Sequence, residues 1–143
     1  MLTYRQNLNL PIQCFENYGA SPEEVLYFDI ETTGLSADSS FLYLICVGFL
    51  SKGKPVLCQW FSESFTDEVN LLHAFFSFME EYKILVHYNG TTFDIPYLEK
   101  KCHQYKLDYR FNLTSIDLYR MVKPHKALLS LSGCRQKDIE RFL

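Results

Sequence analysis

Residues Glu24 to Ser36 read EVLYFDIETTGLS. Val25, Leu26, Tyr27, Phe28 and Ile30 have the β-branched and aromatic content of a buried strand, yet Asp29 and Glu31 interrupt the run. Successive side chains of a strand point to opposite faces, so residues two apart share a face and the two carboxylates stand side by side. Like charges at that spacing repel, and more strongly where water is scarce. A bound cation is the first candidate for what offsets the repulsion. The strand, predicted over Val25 to Glu31, closes in the turn TTGL at Gly34.

Downstream, SFLYLICVGFLSKGKPVLCQWFSES predicts two strands, about Leu42 to Leu50 and Val56 to Phe61, joined by a glycine-bearing hairpin turn. With the first strand they make an antiparallel trio. In TDEVNLLHAFFSFMEEY, Leu71, Leu72, Phe75, Phe76 and Met79 recur at helical spacing, with Thr66 and Asp67 as start signals. KILVHYN, Lys83 to Asn89, is short and apolar enough for a buried strand, and GTTFDIPYLEKKCHQY runs from a loop into a helix with Pro96 in its first turn. A weaker strand around Phe111 to Ile116 leads into DLYRMVK, a short helix capped by Asp117, and the chain closes in a turn and a last helix. These elements predict an α/β fold: a mixed sheet of three antiparallel strands followed by two parallel strands, flanked by helices. Residues 1–24 read as an irregular arm packing on a domain over 25–143, with the domain expected to be truncated at its C-terminal end.

A chain of 143 residues, 48% hydrophobic and 16% aromatic, suits one domain with a real core. The longest apolar run, Phe41 to Leu50, is well short of the roughly 20 residues that cross a bilayer, and the N-terminus lacks a signal-peptide core, so the expectation is a soluble, cytoplasmic protein with no membrane partner. Five cysteines, an odd number with no C-x-x-C pair, fit reduced, packed thiols and no zinc site. The net charge of −3 is not the basic footprint of a protein that grips nucleic acid by phosphate neutralisation alone. It does not exclude a nuclease, because carboxylates that hold metals count as negative until the metals arrive.

A third acid, Asp94, ends the stretch HYNGTTFD after the fourth predicted strand. Functional crevices of open α/β sheets lie where strand ends meet loops, so Asp94 is placed to approach Asp29 and Glu31. Three carboxylates there match the hard-oxygen preference of Mg²⁺ or Mn²⁺, and two such ions about 4 Å apart clamp the attacking and leaving oxygens of a phosphoryl displacement. A helix cap is the plain alternative for Asp94, an exposed polar strand end for the other two.

DIETTGL followed some sixty residues on by NGTTFD resembles the first two motifs of the DEDD 3′-5′ exonucleases (DnaQ-like) of the ribonuclease H-like superfamily, and most closely the YprB-type ribonuclease H-like domain. The resemblance covers roughly Leu26 to Leu143. It implies a metal-dependent exonuclease acting on nucleic acid, with a single-stranded 3′ end as substrate and two Mg²⁺ or Mn²⁺ ions held by Asp29, Glu31 and Asp94. It also implies that Thr32 and Thr33 contact the terminal nucleotide, that Leu35 wedges against its base and that Asn89 lies near the scissile region. Among the aromatics, Phe93 alone, adjacent to Asp94, is placed near substrate, and further domains of a longer chain are expected as partners. The family's third motif, a His or Tyr three or four residues ahead of a fourth Asp, has no counterpart after Ser130. A catalytically incomplete module that binds nucleic acid or a partner domain is therefore the competing reading. A haloacid-dehalogenase phosphatase is disfavoured, since Glu31 replaces the second aspartate of its motif. Asp117 reads as a cap or structural acid, with a place beside the metals as the alternative. His87 reads as a satisfied structural histidine rather than a general base, and Asp138 and Glu140 as part of a solvated helix. His73, His103 and His125 have no carboxylate partner at ligand spacing and receive no role.

Overall fold

The computed structural model describes all residues, 1–143. Six strands form one sheet: β1 (Leu2–Asn7), β2 (Val25–Thr32), β3 (Leu42–Ser51), β4 (Lys54–Phe61), β5 (Ile84–His87) and β6 (Thr114–Asp117), in the spatial order β1-β4-β3-β2-β5-β6. The β1–β4, β4–β3 and β3–β2 pairings are antiparallel, and β2–β5 and β5–β6 are parallel. Four helices accompany them: α1 (Glu68–Met79), α2 (Asp94–Gln104), α3 (Leu118–Val122) and α4 (Gln136–Glu140). The mixed sheet, the antiparallel trio and the two parallel strands are those read from the sequence.

β1 is the departure. The segment expected as an irregular arm pairs along β4 from Leu2 opposite Phe61 to Asn7 opposite Val56. All six of its side chains are exposed, so the strand carries no alternation of apolar and polar residues. Its order comes from backbone bonds to an edge that would otherwise be open, a cause invisible to a hydropathy pattern. Asp67 stands at the N-cap of α1 as expected, but its side chain, rather than capping the helix, accepts a 2.7 Å bond from the Met1 amino group and fastens the start of β1.

Alternation along the inner strands sets the two faces. Phe28 and Ile30 of β2 lie opposite Val47 and Ile45 of β3, which lie opposite Cys58 and Trp60 of β4. These residues pack against Leu71, Leu72, Phe75, Phe76 and Met79 of α1 and Tyr97, Leu98 and Cys102 of α2 in the main core. Burial of a side chain of this size is worth about 1.5–3 kcal/mol, so this face carries most of the hydrophobic stabilisation. The other face buries a smaller cluster, Phe15, Val25, Leu50, Ile84 and Val86, with Tyr27 packed against it. By the same alternation, Asp29 and Glu31 belong to this second face. No helix is long and apolar enough to cross a membrane.

Candidate active site

β2 and β5 run together only from Val25 opposite Ile84 to Tyr27 opposite Val86. Beyond Tyr27 the two strands diverge and free the backbone of β2 on that side. The Ile30 N–H, which a longer β5 would have satisfied, donates instead to Asp94 Oδ1 at 3.3 Å. The first residue of α2 is thereby drawn onto the strand segment between Asp29 and Glu31. A register irregularity at Glu31 and Thr32 bends the end of β2 at the same place, a common device for re-aiming side chains at functional sites.

The electrostatics follow from that placement. Asp94 is buried, 6% exposed, and its pKa is pushed up to about 6, chiefly by loss of water and then by the charge of Asp29. Asp29 is exposed, but its surroundings withhold enough water to raise its pKa too, with the neighbouring Glu31 charge as the second cause. Asp29 also stands on the wall of a largely apolar groove of about 580 Å³ between the second face of the sheet and α4. A divalent cation would offset the repulsion that adds to both shifts, and three carboxylates are hard-oxygen donors of the right class for Mg²⁺ or Mn²⁺. As the side chains stand, no group of three or more acids, histidines or cysteines closes into a metal cage. The donor set fits the ions by its chemistry alone.

The other residues expected at the site are distributed around it. Thr32 Oγ1 donates to the Gly34 carbonyl at 2.8 Å, and Thr33 Oγ1 accepts from Phe41 N–H at 2.9 Å, so both hydroxyls shape the loop after β2. Leu35 at the tip of that loop is 87% exposed, a large apolar side chain with nothing covering it. Phe93 leads into α2 and packs partly against the main core beside Tyr97. Asn89 takes a left-handed conformation, φ 61°, and donates its N–H to Asp117 Oδ1 at 2.8 Å.

Asp117 also accepts from Tyr119 N–H at 3.1 Å and so caps α3, as its sequence position suggests. Desolvation works against its charge, but the hydrogen bonds it accepts, led by that from Asn89 N–H, outweigh it and hold its pKa below the usual carboxylate value. Its Oδ2 is buried without a hydrogen-bond partner, 3.9 Å from His87 Nδ1. His87 Nδ1 accepts from Gly90 N–H at 3.0 Å, which leaves the ring proton on Nε2 to donate to Ser115 Oγ at 2.7 Å. Burial lowers the His87 pKa and keeps the ring neutral. Asp117 and His87 thus grip consecutive amides, Asn89 and Gly90, of the loop that delivers Asp94. A Cβ on Gly90 would lie 2.8 Å from His87 Nδ1, so the loop admits only glycine there without displacement.

Sequence reasoning missed one supporting network entirely. Glu68 and Lys101, both buried, form an ion pair of 3.0 Å; Lys101 also donates to the Ser40 carbonyl at 2.7 Å, and Glu68 accepts from Leu42 N–H at 2.7 Å. Ser40 Oγ in turn bonds Tyr97 and donates to the carbonyls of Gly34 and Ser36. The loop carrying Leu35 is therefore anchored to α1 and α2. A glutamate and a lysine 33 positions apart on separate amphipathic helices give no signal before the helices are packed. Asp138 is a correction: it is not solvated but buried, accepting from Arg135 N–H and Nε. His73, left without a role, bonds the Tyr109 hydroxyl at 2.7 Å.

The RNase_H superfamily matches the chain over residues 26–143. No curated protein matches it in sequence. Among solved structures, E. coli exonuclease I in complex with a dT13 oligonucleotide superposes with a TM-score of 0.63 at 12% identity, over 82% of this chain and 35% of that one. Apo exonuclease I gives the same score and identity over 36% of its length. The family B DNA polymerase of the hyperthermophilic archaeon Pyrobaculum calidifontis superposes with a TM-score of 0.58 at 22% identity, over 69% of this chain and 16% of the polymerase. The chain thus spans about a third of exonuclease I and a sixth of the polymerase, and the likeness is one of fold.

Proposed function

The chain belongs to the RNase H superfamily, and from that membership we propose that it is a metal-dependent 3′-5′ exonuclease domain in which Asp29, Glu31 and Asp94 hold two divalent cations, Mg²⁺ or Mn²⁺. The observation that carries the reading is the bond from Ile30 N–H to Asp94 Oδ1, which brings the third acid onto the strand segment bearing the other two. When bound, the ions would supply an activated water and stabilise the departing 3′ oxygen. The chain's own residues bind and orient. The three carboxylates would ligate the ions, and the deprotonation that Asp94 needs for this falls at about pH 6. Leu35 offers an exposed apolar wedge for the terminal base, on a loop held by Thr32, Thr33 and the Lys101–Glu68 pair. Asn89 and Phe93, at the two ends of the loop leading to Asp94, flank the scissile phosphate. The substrate is the 3′ end of a single strand.

One observation favours a second reading. Residues 131–143 contain neither His nor Tyr, so nothing there matches the third exonuclease motif. That reading is a module that binds nucleic acid or a partner domain without cutting. The two are separated by incubating a 5′-labelled single-stranded oligonucleotide with the protein and Mn²⁺, wild type beside Asp94→Asn. A ladder shortening from the 3′ end in wild type alone supports the exonuclease. Intact oligonucleotide with both, bound but uncut, supports the module.

A further inference from the structure

The carboxylates that would hold the metals repel a phosphate backbone, so an incoming strand needs cations elsewhere. They are not spread evenly. Residues 118–143 carry six basic side chains, Arg120, Lys123, Lys126, Arg135, Lys137 and Arg141, against Asp138 and Glu140. That segment has a net charge of +4 and residues 1–117 have −7, which together give the −3 of the whole chain.

The basic segment builds one wall of a second cleft, of about 450 Å³, lined by Tyr88, Asn89, Tyr119, Cys134, Arg135 and Gln136. Asn89 joins it to the loop that delivers Asp94. Both walls are held in place. The Tyr88 hydroxyl donates to the Cys134 carbonyl, tying residues 133–136 to the end of β5. Asp138, buried behind that wall, anchors Arg135 through its N–H and Nε and leaves no room for a Cβ on Gly133. Arg135 has its Nε engaged but a side chain 88% exposed, so its terminal nitrogens remain open as donors. The Tyr88 and Tyr119 rings meet edge to face at 5.9 Å, and Lys123 Nζ lies 5.4 Å from the centre of the Tyr119 ring. Aromatic faces beside exposed cations are what single-stranded nucleic acid uses, the rings stacking bases and the cations meeting phosphates.

We propose that this cleft is a second subsite for single-stranded nucleic acid, taking the strand next to the nucleotide held at Asp29, Glu31 and Asp94, with Tyr119 as stacking platform and Lys123 and Arg135 as phosphate partners. The proposal rests on the nuclease reading for its direction, and its test is independent of cleavage. Anisotropy of a 5′-labelled oligothymidylate is followed in EDTA across a series of salt concentrations. Single-strand affinity falls with salt by a slope of about 0.7 per phosphate contact. Lys123→Ala with Arg135→Ala therefore lowers the slope by about 1.4, and Tyr119→Leu weakens binding about tenfold at an unchanged slope. Lys54→Ala serves as control, since that exposed lysine sits at the β3–β4 hairpin, away from the end of β2 where the carboxylates lie. It changes neither quantity. A wild-type slope in the double variant overturns the subsite and leaves the nuclease reading intact. Absence of binding by the wild type also overturns it, and added Mn²⁺ then decides separately whether the same oligonucleotide is cut.

Discussion

Replacing Asp94 by Asn should stabilise the metal-free protein, and only where Asp94 is ionised. The folded state holds the Asp94 proton up to pH about 6, against 3.8 for an unperturbed aspartate. Between these values the native state binds more protons than the unfolded one, so stability falls as pH rises through the interval and the loss is complete above it. At about 1.4 kcal/mol per tenfold, the rise is worth about 3 kcal/mol. For a chain of this size that is roughly 6–12 °C in Tm. Asparagine keeps a carbonyl for the Ile30 N–H and removes the charge that burial and Asp29 oppose. Thermal unfolding in EDTA at pH 8 should place Asp94→Asn above wild type by that order, and at pH 4 the two should nearly coincide. An equal gain at both pH values, or none at pH 8, would refute the argument that burial beside Asp29 strains this carboxylate.

Three further outcomes are expected. Lys101→Met leaves the Glu68 charge buried and unpaired and should cost about 3–5 kcal/mol in urea unfolding; adding Glu68→Gln, which keeps an acceptor for Leu42 N–H, should recover most of it. Asp117→Ala strips the acceptor from the Asn89 and Tyr119 amides and should cost about 2 kcal/mol, read by the same denaturation, with Mn²⁺-dependent cleavage falling further than stability explains. Leu35→Ser touches nothing in the fold and should change stability by less than about 0.5 kcal/mol, while initial rates of 3′-end cleavage drop several-fold.

What the sequence made legible was whatever repeats with a period or clusters within one motif. Strands β2, β3 and β4 announce themselves by apolar content and the hairpin turn, and α1 by its leucine and phenylalanine spacing. Asp29 and Glu31 stood out because paired acids are costly on an apolar strand, Asp94 because it ends HYNGTTFD after the next strand, and the structure brings Asp94 to Ile30 through a local cause, the divergence of β5 from β2. Hidden from the sequence were elements whose stability comes from partners far along the chain. β1 has no buried side chain and exists through the edge of β4. The Glu68–Lys101 pair, the burial of Asp138 and the cleft between Tyr119 and Arg135 each join residues whose neighbourhood only packing creates.

The central claim is that Asp29, Glu31 and Asp94 together hold divalent cations, and a thermal-unfolding titration with Mn²⁺ tests it most directly, wild type beside Asp29→Ala. A ligand that binds only the folded state stabilises it by about 2.7 kcal/mol at a hundred times its Kd. A saturable rise in Tm for wild type that Asp29→Ala lacks is the predicted result. No rise in wild type, or the same rise in both, would contradict the claim and bring the non-cutting binding module forward.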